Sequence, residues 1–502
     1  MGVTSTTDWK KEVIREEEID KYLVNGKDFI DNHSIFSVLK SQSDPDPLFI
    51  RDILQKSLSI STLKPEETAA LLQVRDPGLW LEINQTALEV KKKVYDNRIV
   101  FFAPLYCANY CVNNCAYCGF REANSQEMRR ILTIDEVKRE TISVLREGHK
   151  RLILVFGEHP STDVDYMVDC IKGVYSVHDV APKSGQPTNI RRVNINAAPM
   201  EMSKLRKLKE AGIGTYQVFQ ETYHRETFAK VHPSNTLKGH YRWRLYALHR
   251  AIEAGVDDVA IGALFGLYDW KFEVMGLLHH TLDLERQFGI GPHTISFPRM
   301  TPASGSWLSN NSEYNVPDEN FRKLVAVLRL SVPTAGMIVT AREKAAIKRE
   351  VLQLGCTQTD ASTRIGIGAY SDQQKEFNQD NKQFTIGDPR DLDEVIQEVG
   401  KLGFISSFCT AGYRCGRTGE TIMGMLSHCE ESKFCKLNAV LTYREYLNDY
   451  ASPETKAIGE ELIQKELIEI ENSEYFRHKP HLLSRFRKDY AGILSGRRDL
   501  YI

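Results

Sequence analysis

Eight short apolar runs alternate with longer amphipathic segments between residues 98 and 362 of this chain. Each run is rich in β-branched or aromatic residues and is bounded by glycine, proline or polar residues, which is typical of buried strands. Eight consecutive strand–helix units predict a parallel (β/α)8 barrel, with a doubly wound open sheet as the structural alternative. The eight predicted strands are 98–106, 151–158, 191–199, 215–222, 258–266, 293–300, 334–341 and 355–362.

Helical patterns occupy the segments between and around these strands. Thr133 and Glu136 fit a capping box at the start of one amphipathic helix, and Gly148 suits its end. Asp388 and Pro389 are predicted to begin another helix, which runs through Glu398. We therefore expect three units: a helical N-terminal extension (1–95), the barrel (96–370) and a mostly helical C-terminal domain (371–502).

The charge balance and hydropathy exclude several classes of protein. Lys plus Arg number 65 and Asp plus Glu number 67, a formal net charge of −2, without the basic surplus of a nucleic-acid-binding protein. No run of 18 apolar residues predicts a membrane-spanning helix, and the N-terminus has no apolar signal core. We expect a cytoplasmic protein without nucleic-acid or membrane partners.

The ten cysteines are unevenly distributed. Four lie within 107–118 and four within 409–435. Ten cysteines in 502 residues are too few for a disulfide scaffold, and their clustering indicates metal binding.

The first cysteine group contains a C-x3-C-x2-C motif, Cys111, Cys115 and Cys118, directly after the first predicted strand. Catalytic groups of such barrels lie at the carboxyl ends of the strands. Structural zinc usually takes four ligands, so three thiolates favour a cubane iron–sulfur cluster with one open iron, and a zinc loop is the alternative. Cys107 is predicted to be a buried residue without a ligand role, with a spare ligand as the alternative.

This motif resembles the signature of radical S-adenosylmethionine enzymes, and the resemblance extends beyond it. GEHP at 157–160, QETYH at 220–224, DDVAIGALFGLYD at 257–269 and GPHTISFPR at 291–299 are similar to the tyrosine lyase family that matures FeFe-hydrogenase. The similarity covers roughly residues 60–460. The related thiazole-forming tyrosine lyase shares QETY but matches the rest less well.

The resemblance implies an anaerobic radical lyase with a 4Fe–4S cluster and S-adenosylmethionine. A 5′-deoxyadenosyl radical would start cleavage of the Cα–Cβ bond of L-tyrosine to p-cresol and dehydroglycine. In the maturase branch dehydroglycine becomes carbon monoxide and cyanide on a second cluster. Implied partners are a low-potential electron donor and hydrogenase-maturation proteins. The alternatives are a lyase that releases dehydroglycine for thiazole synthesis or another pathway, and a non-catalytic iron–sulfur scaffold or carrier.

Five further site residues follow from the resemblance and from their places after strands. Gly157 and Glu158 fall where enzymes of this superfamily have a glycine-rich sequence that contacts the amino group of S-adenosylmethionine. Glu221 is expected to face the cofactor. Arg342 and Arg364 are candidates for the carboxylate of tyrosine, because a guanidinium binds carboxylates in a fork. No catalytic side chain is assigned.

The second cysteine group is similar to the family's C-terminal C-x2-C-x22-C motif but departs from it. Cys409 and Cys435 fit the first and last positions, whereas Gly412 stands at the middle one and has no side chain to bind iron. Three alternatives remain open: Cys415 or Cys429 acts as the third ligand, no second cluster forms and dehydroglycine is released, or the site holds a different metal.

His280 is a further candidate ligand. The resemblance suggests that the family uses a histidine here near an additional, labile iron, and imidazole is a common iron ligand. A buried structural histidine is the alternative.

Overall fold

The computed structural model describes residues 6–371 and 383–502 of the chain. All eight predicted strands are present, and the last of them pairs with the first, which closes the sheet into a (β/α)8 barrel and rules out the open sheet. The barrel strands are β1 (Arg98–Ala108), β2 (Arg151–Phe156), β5 (Arg192–Asn196), β6 (Thr215–Gln217), β7 (Asp258–Gly262), β8 (Thr294–Ser296), β9 (Gly336–Val339) and β10 (Gln358–Asp360).

Three short strands were not predicted. β3 (His178–Val180) and β4 (Pro187–Asn189) form an antiparallel hairpin, and β11 (Ile405–Ser407) pairs in parallel with the first residues of β1. These three segments are mostly polar, so no apolar run marks them in the sequence. β11 matters for function because its end places Cys409 beside the barrel.

The helices surround the barrel and form the two extensions. The N-terminal helices are α1 (Thr6–Val13), α2 (Glu17–Asp20), α3 (Asn32–Ser41), α4 (Pro47–Leu58), α5 (Pro65–Gln73) and α6 (Pro77–Tyr95). The helices between barrel strands, and the one leading to β11, are α7 (Ile134–Arg146), α8 (Val164–Tyr175), α9 (Met202–Glu210), α10 (Arg225–Val231), α11 (Tyr241–Leu245), α12 (Ala247–Glu253), α13 (Trp270–Phe288), α14 (Leu308–Asn311), α15 (Asp318–Ser331), α16 (Ala345–Leu354) and α17 (Leu392–Lys401). The C-terminal helices are α18 (Ala411–Arg414), α19 (Gly419–Ser427), α20 (Glu431–Asp449), α21 (Pro453–Asn472), α22 (Glu474–Arg477) and α23 (Pro480–Leu494).

Local signals in the sequence fix some helix ends and miss others. The predicted capping box at α7 is present, with the Glu136 amide 3.3 Å from the Thr133 hydroxyl. α17 instead begins after Asp391, not at Asp388 as predicted. The Asp388 carboxylate is buried in ion pairs with Lys348 (3.1 Å) and Arg390 (2.8 Å), so it is not available to cap a helix.

The extensions are packed onto the barrel. Helices α5 and α6 pack on α15, and α20 and α21 pack on β11 and α17. Because β11 belongs to the barrel sheet, the sheet continues past the domain boundary at 370 that the sequence suggested. None of the helices within residues 6–371 and 383–502 combines the length and apolar character needed to cross a bilayer.

Candidate functional sites at the two ends of the barrel

The three cysteines of the first motif lie above the carboxyl ends of the strands. Cys111, Cys115 and Cys118 line a cavity of about 220 Å³, with Cys115 only 5% exposed. The ends of β2, β6, β9 and β10 contribute the opposite walls of the same cavity. The barrel therefore brings the cysteine loop and strand-end residues together at one place.

The cysteine loop is held in place by hydrogen bonds to its backbone. The Arg129 guanidinium donates to the carbonyls of Asn109 (2.7 Å) and Phe120 (2.8 Å). From another segment, the Ser306 hydroxyl donates to the carbonyl of Ala116 at 2.8 Å. These bonds hold the loop over the mouth of the barrel.

Burial raises the pKa of the Cys115 and Cys118 thiols to about 11. Thiols must lose their protons to bind metal, so loading the loop would release protons. Within the described residues, no three His, Cys, Asp or Glu side chains converge to hold a single metal ion. A cubane does not need such convergence because each thiolate binds a different iron, whereas a zinc ion does.

Gly157, directly after β2, is required by the closeness of the cysteine loop. A Cβ at this position would lie 2.1 Å from the carbonyl oxygen of Tyr110, a distance that real Cβ atoms do not show. The Gly157 amide donates to the carbonyl of Ala108 at 3.0 Å, which ties β2 to the end of β1. Only glycine lets the two segments approach so closely.

Glu158 faces the cavity beside the thiols. Its carboxylate accepts a hydrogen bond of 2.5 Å from Asn113, whose side chain also lies 3.7 Å from the Cys111 sulfur. Burial raises the pKa of Glu158 above its usual value. Three soft thiols next to a carboxylate and backbone carbonyls fit a cluster with a chelating amino-acid ligand whose ammonium needs acceptors.

Glu221 lines the same cavity with two cations that the sequence did not reveal. Its carboxylate is 2.7 Å from the Lys238 ammonium and 3.4 Å from the Arg244 guanidinium. Burial alone would raise the pKa of Glu221, but these charges outweigh it and lower the pKa. Lys238 precedes α11 and Arg244 lies on it, and no spacing pattern marked either residue.

The two predicted substrate arginines have different surroundings. Arg342 lines the cavity, with its guanidinium 3.3 Å from the ring centroid of Phe384 and 3.3 Å from the Thr301 hydroxyl. Arg364 is not among the described residues that line the cavity. It donates to the carbonyl of Ala369 (3.2 Å) and lies 3.7 Å from Glu147. The structure therefore places Arg342 at the site and Arg364 outside it.

A second, smaller cavity of about 30 Å³ lies at the amino ends of the strands. Cys409, Gly412 and Cys435 line it, as the second motif suggests, together with His293 and Arg417. The Cys409 sulfur is 3.6 Å from a guanidinium nitrogen of Arg192. The two cysteine groups therefore lie at opposite ends of the barrel.

The remaining candidate ligands are not brought to the second cavity. Cys415 is exposed at the end of α18, and neither it nor Cys429 is among the described lining residues. His280 lies on α13, packed between Tyr223 (2.9 Å from its Nδ1) and the stacked ring of His249. Because α13 lies outside the sheet, His280 does not line the second cavity, and its role as an iron ligand stays a prediction. His293, just before β8, is the histidine that lines this cavity.

Cys107 is fully buried in β1, as predicted, and is separated from the first cavity. Burial raises the pKa of its thiol well above the usual value.

Comparison with known proteins agrees with this arrangement. The Radical SAM superfamily matches residues 105–276, and the Biotin and Thiamin Synthesis associated domain matches residues 296–405. A crystal structure of HydG, a maturase of the FeFe-hydrogenase, is 40% identical with a TM-score of 0.87, and the match covers 95% of this chain and 100% of that one.

Two other relatives are more distant. The structure of the FeFe-hydrogenase maturase HydG from Carboxydothermus hydrogenoformans is 32% identical with a TM-score of 0.75, covering 94% of this chain and 99% of that one. The 2-iminoacetate synthase of Escherichia coli (strain K12) is 28% identical over 355 residues, which are 70% of this chain and 88% of that protein.

Proposed function

Because the chain belongs to the radical SAM family that contains the FeFe-hydrogenase maturase HydG, we propose that it cleaves the Cα–Cβ bond of L-tyrosine to p-cresol and dehydroglycine. The observation that carries this proposal is the first cavity. It places three thiols, three carboxylates and two half-buried arginines, Arg244 and Arg342, around one space at the barrel mouth. That combination suits a cluster, a sulfonium amino acid and an amino-acid substrate together.

Some residues of the cavity suit the cluster, and others suit S-adenosylmethionine. Cys111, Cys115 and Cys118 would hold a 4Fe–4S cluster, and Glu158 with the backbone at Gly157 would accept hydrogen bonds from the ammonium of S-adenosylmethionine. When bound, the cluster and S-adenosylmethionine supply an organic radical that removes one hydrogen atom from the substrate.

The chain itself binds, orients and shields the substrate. Arg342 would bind the tyrosine carboxylate through its guanidinium fork, which fixes the amino group relative to the cofactor. Tyr106, Phe120 and Ile365 form a buried apolar cluster on one wall, and Tyr117 lies between two cysteines. These side chains keep water away from reactive species.

An anaerobic turnover assay tests the proposal. The protein is reconstituted with iron and sulfide and is then given L-tyrosine, S-adenosylmethionine and dithionite. We expect p-cresol and 5′-deoxyadenosine, both measured by chromatography. If the protein has an intact first cluster and forms 5′-deoxyadenosine but no p-cresol, the tyrosine lyase proposal is contradicted. If it forms neither 5′-deoxyadenosine nor p-cresol, the scaffold or carrier alternative is favoured.

For the second cavity, we infer that two thiols without a third do not hold a full cubane. Cys409 and Cys435 line the cavity, while Cys415 points to solvent. This supports release of dehydroglycine by this chain over its conversion to carbon monoxide and cyanide. A thiazole pathway or another pathway would then receive dehydroglycine from it, whereas hydrogenase-maturation proteins would be partners if carbon monoxide and cyanide were made.

Restoring the missing ligand tests this inference. A Cβ at Gly412 would have only the Arg417 carbonyl close by, at 3.2 Å, so a small shift admits a side chain. Since a cubane contains four irons, Gly412→Cys should raise the iron content from about four to about eight per chain. Cys415→Ala is the matched control and should leave the iron of the unsubstituted protein unchanged. Eight irons in the unsubstituted protein would contradict the inference.

A further inference from the structure

A short segment that follows the barrel in the chain lies against the cysteine loop. Residues 383–387, which we name the mouth segment, come after β10 and before α17. Two of them, Gln383 and Phe384, line the first cavity. The backbone carbonyl of Gln383 accepts a hydrogen bond of 3.2 Å from the amide of Gly119, the residue directly after Cys118. The fold therefore brings Gln383 to a cysteine that lies 265 positions earlier in the chain.

The mouth segment is also tied to two loops of the barrel. The amide and the hydroxyl of Thr385 both donate to the carbonyl of Pro302, at 2.8 and 3.0 Å. The Gly387 amide donates to the carbonyl of Ala341 at 2.7 Å. These bonds lie within four residues of Gln383, so they hold its backbone in place from the side opposite to the cysteine loop.

The carboxamide of Gln383 is held between a phenol and a thiol. The Tyr106 hydroxyl donates to Oε1 of Gln383 at 3.0 Å, and Nε2 of Gln383 lies 3.7 Å from the Cys118 sulfur. Burial raises the pKa of Tyr106, so its hydroxyl keeps the proton that it donates. Because the hydroxyl binds the amide oxygen, the N–H groups of the carboxamide are turned toward the sulfur.

We propose that Gln383 is a positioning residue for the first cluster, because its hydrogen bond to the Cys118 sulfur raises the reduction potential of that cluster. This rests on the cluster of the proposed function but not on tyrosine as the substrate. A donor to a ligand sulfur stabilises the reduced form of a cluster more than the oxidised form, since the reduced form carries one more negative charge.

The surroundings of the Cys118 sulfur strengthen this effect. Cys118 and Phe384 pack against the buried apolar cluster of Tyr106, Phe120 and Ile365. Hydrogen bonds are electrostatically stronger in such an apolar environment than in water. A higher reduction potential would allow a weaker reductant to supply the one electron that the cluster needs, with no bond formed or broken in that transfer.

A redox titration of the iron-loaded protein tests the proposal. Dithionite with mediators supplies one electron per cluster, and electron paramagnetic resonance measures the reduced fraction at each potential. Every sample carries Cys409→Ala, so that the second cavity adds no signal. Gln383→Leu should lower the ratio of reduced to oxidised cluster at a given potential by about 3- to 10-fold, the loss expected for one hydrogen bond. A tenfold loss corresponds to a midpoint about 59 mV lower for a one-electron couple.

Two further variants separate the hydrogen bond from the shape of the side chain. Gln383→Glu keeps the length of the side chain and an acceptor for Tyr106, but it places a carboxylate at the sulfur. The ratio should therefore fall at least as far as in Gln383→Leu. Tyr106→Phe leaves the carboxamide free to turn and should cause a smaller fall. Added to Gln383→Leu, it should have no further effect, because the two side chains act as one unit.

Thr385→Val is the matched control within the mouth segment. It removes the hydroxyl that donates to Pro302 but keeps the backbone bond and leaves Gln383 unchanged. The midpoint potential should therefore equal that of the unsubstituted protein. Incomplete iron loading of any variant does not disturb the comparison, because a midpoint potential does not depend on the fraction of protein that carries a cluster.

Three results would overturn the proposal. An unchanged midpoint in both Gln383→Leu and Gln383→Glu would show that the hydrogen bond has no effect on the potential. An equal fall in Thr385→Val would assign the effect to displacement of the whole segment. An equal effect of Tyr106→Phe with and without Gln383 would show that Tyr106 acts by itself. The titration contains neither S-adenosylmethionine nor tyrosine, so absence of p-cresol would refute the proposed function and leave this inference standing.

Discussion

Cys115→Ser is expected to form no p-cresol above the background without enzyme. Cys115 lines the first cavity with two other thiols and is held there by a loop anchored through Arg129 and Ser306. A serine hydroxyl is a hard oxygen with a high pKa and is a poor substitute for a thiolate on the iron of a cluster. The first cluster would then lose a corner, and with it the site for S-adenosylmethionine.

Iron content and cluster absorbance measure the loss of the first cluster, and p-cresol measures the resulting loss of tyrosine cleavage. Cys107→Ala is the matched control, because Cys107 is also a buried cysteine only eight positions away. It should keep its iron and its activity while losing about 1 kcal/mol of stability, a typical cost of a buried substitution. Loss of iron from Cys107→Ala would restore the spare-ligand alternative, and full activity of Cys115→Ser would refute the assignment of the first cluster.

Arg342→Met is expected to lower kcat/KM for L-tyrosine by about 10- to 150-fold, which corresponds to the loss of hydrogen bonds to a charged group. Methionine keeps an unbranched apolar side chain against the Phe384 ring but removes the charge and the fork. Without the fork, the tyrosine carboxylate loses its partner and the amino group loses its orientation. Initial rates of p-cresol formation over a range of tyrosine concentrations measure the effect.

Arg364→Met is the matched control for this prediction. Arg364 also follows a barrel strand, but its guanidinium contacts Glu147 and the carbonyl of Ala369 outside the first cavity. We expect kcat/KM to change by less than about threefold, as for a substitution away from the site. If Arg364→Met lost as much activity as Arg342→Met, Arg342 would not be the residue that binds the substrate carboxylate.

The second cavity brings two thiols together beside a glycine. Cys409, Cys435 and the backbone around Gly412 remain together because β11 and α20 are buried parts of the fold. Their position follows from the packing of these two elements. This is why a single substitution, Gly412→Cys, is a sharp test of whether the cavity can hold a cluster.

Much of the architecture could be predicted from the sequence, because the signals are local. The eight barrel strands carry continuous apolar runs, and α7 carries its own capping box, so each element is specified by neighbouring residues. The C-x3-C-x2-C motif is local in the same sense, since all three thiols belong to one short loop. Strand order then determines that the loop lies over the barrel mouth.

The rest of the site was decided by contacts between distant segments. The sequence offered two arginines as equals, and only the closed barrel shows that Arg342 faces the cavity and Arg364 does not. Lys238 and Arg244 reach Glu221 from the segment around α11, and His293, not His280, lines the second cavity. The direction of a side chain at a strand end depends on twist, register and helix packing across the whole barrel. These quantities cannot be predicted from any one local segment of the sequence.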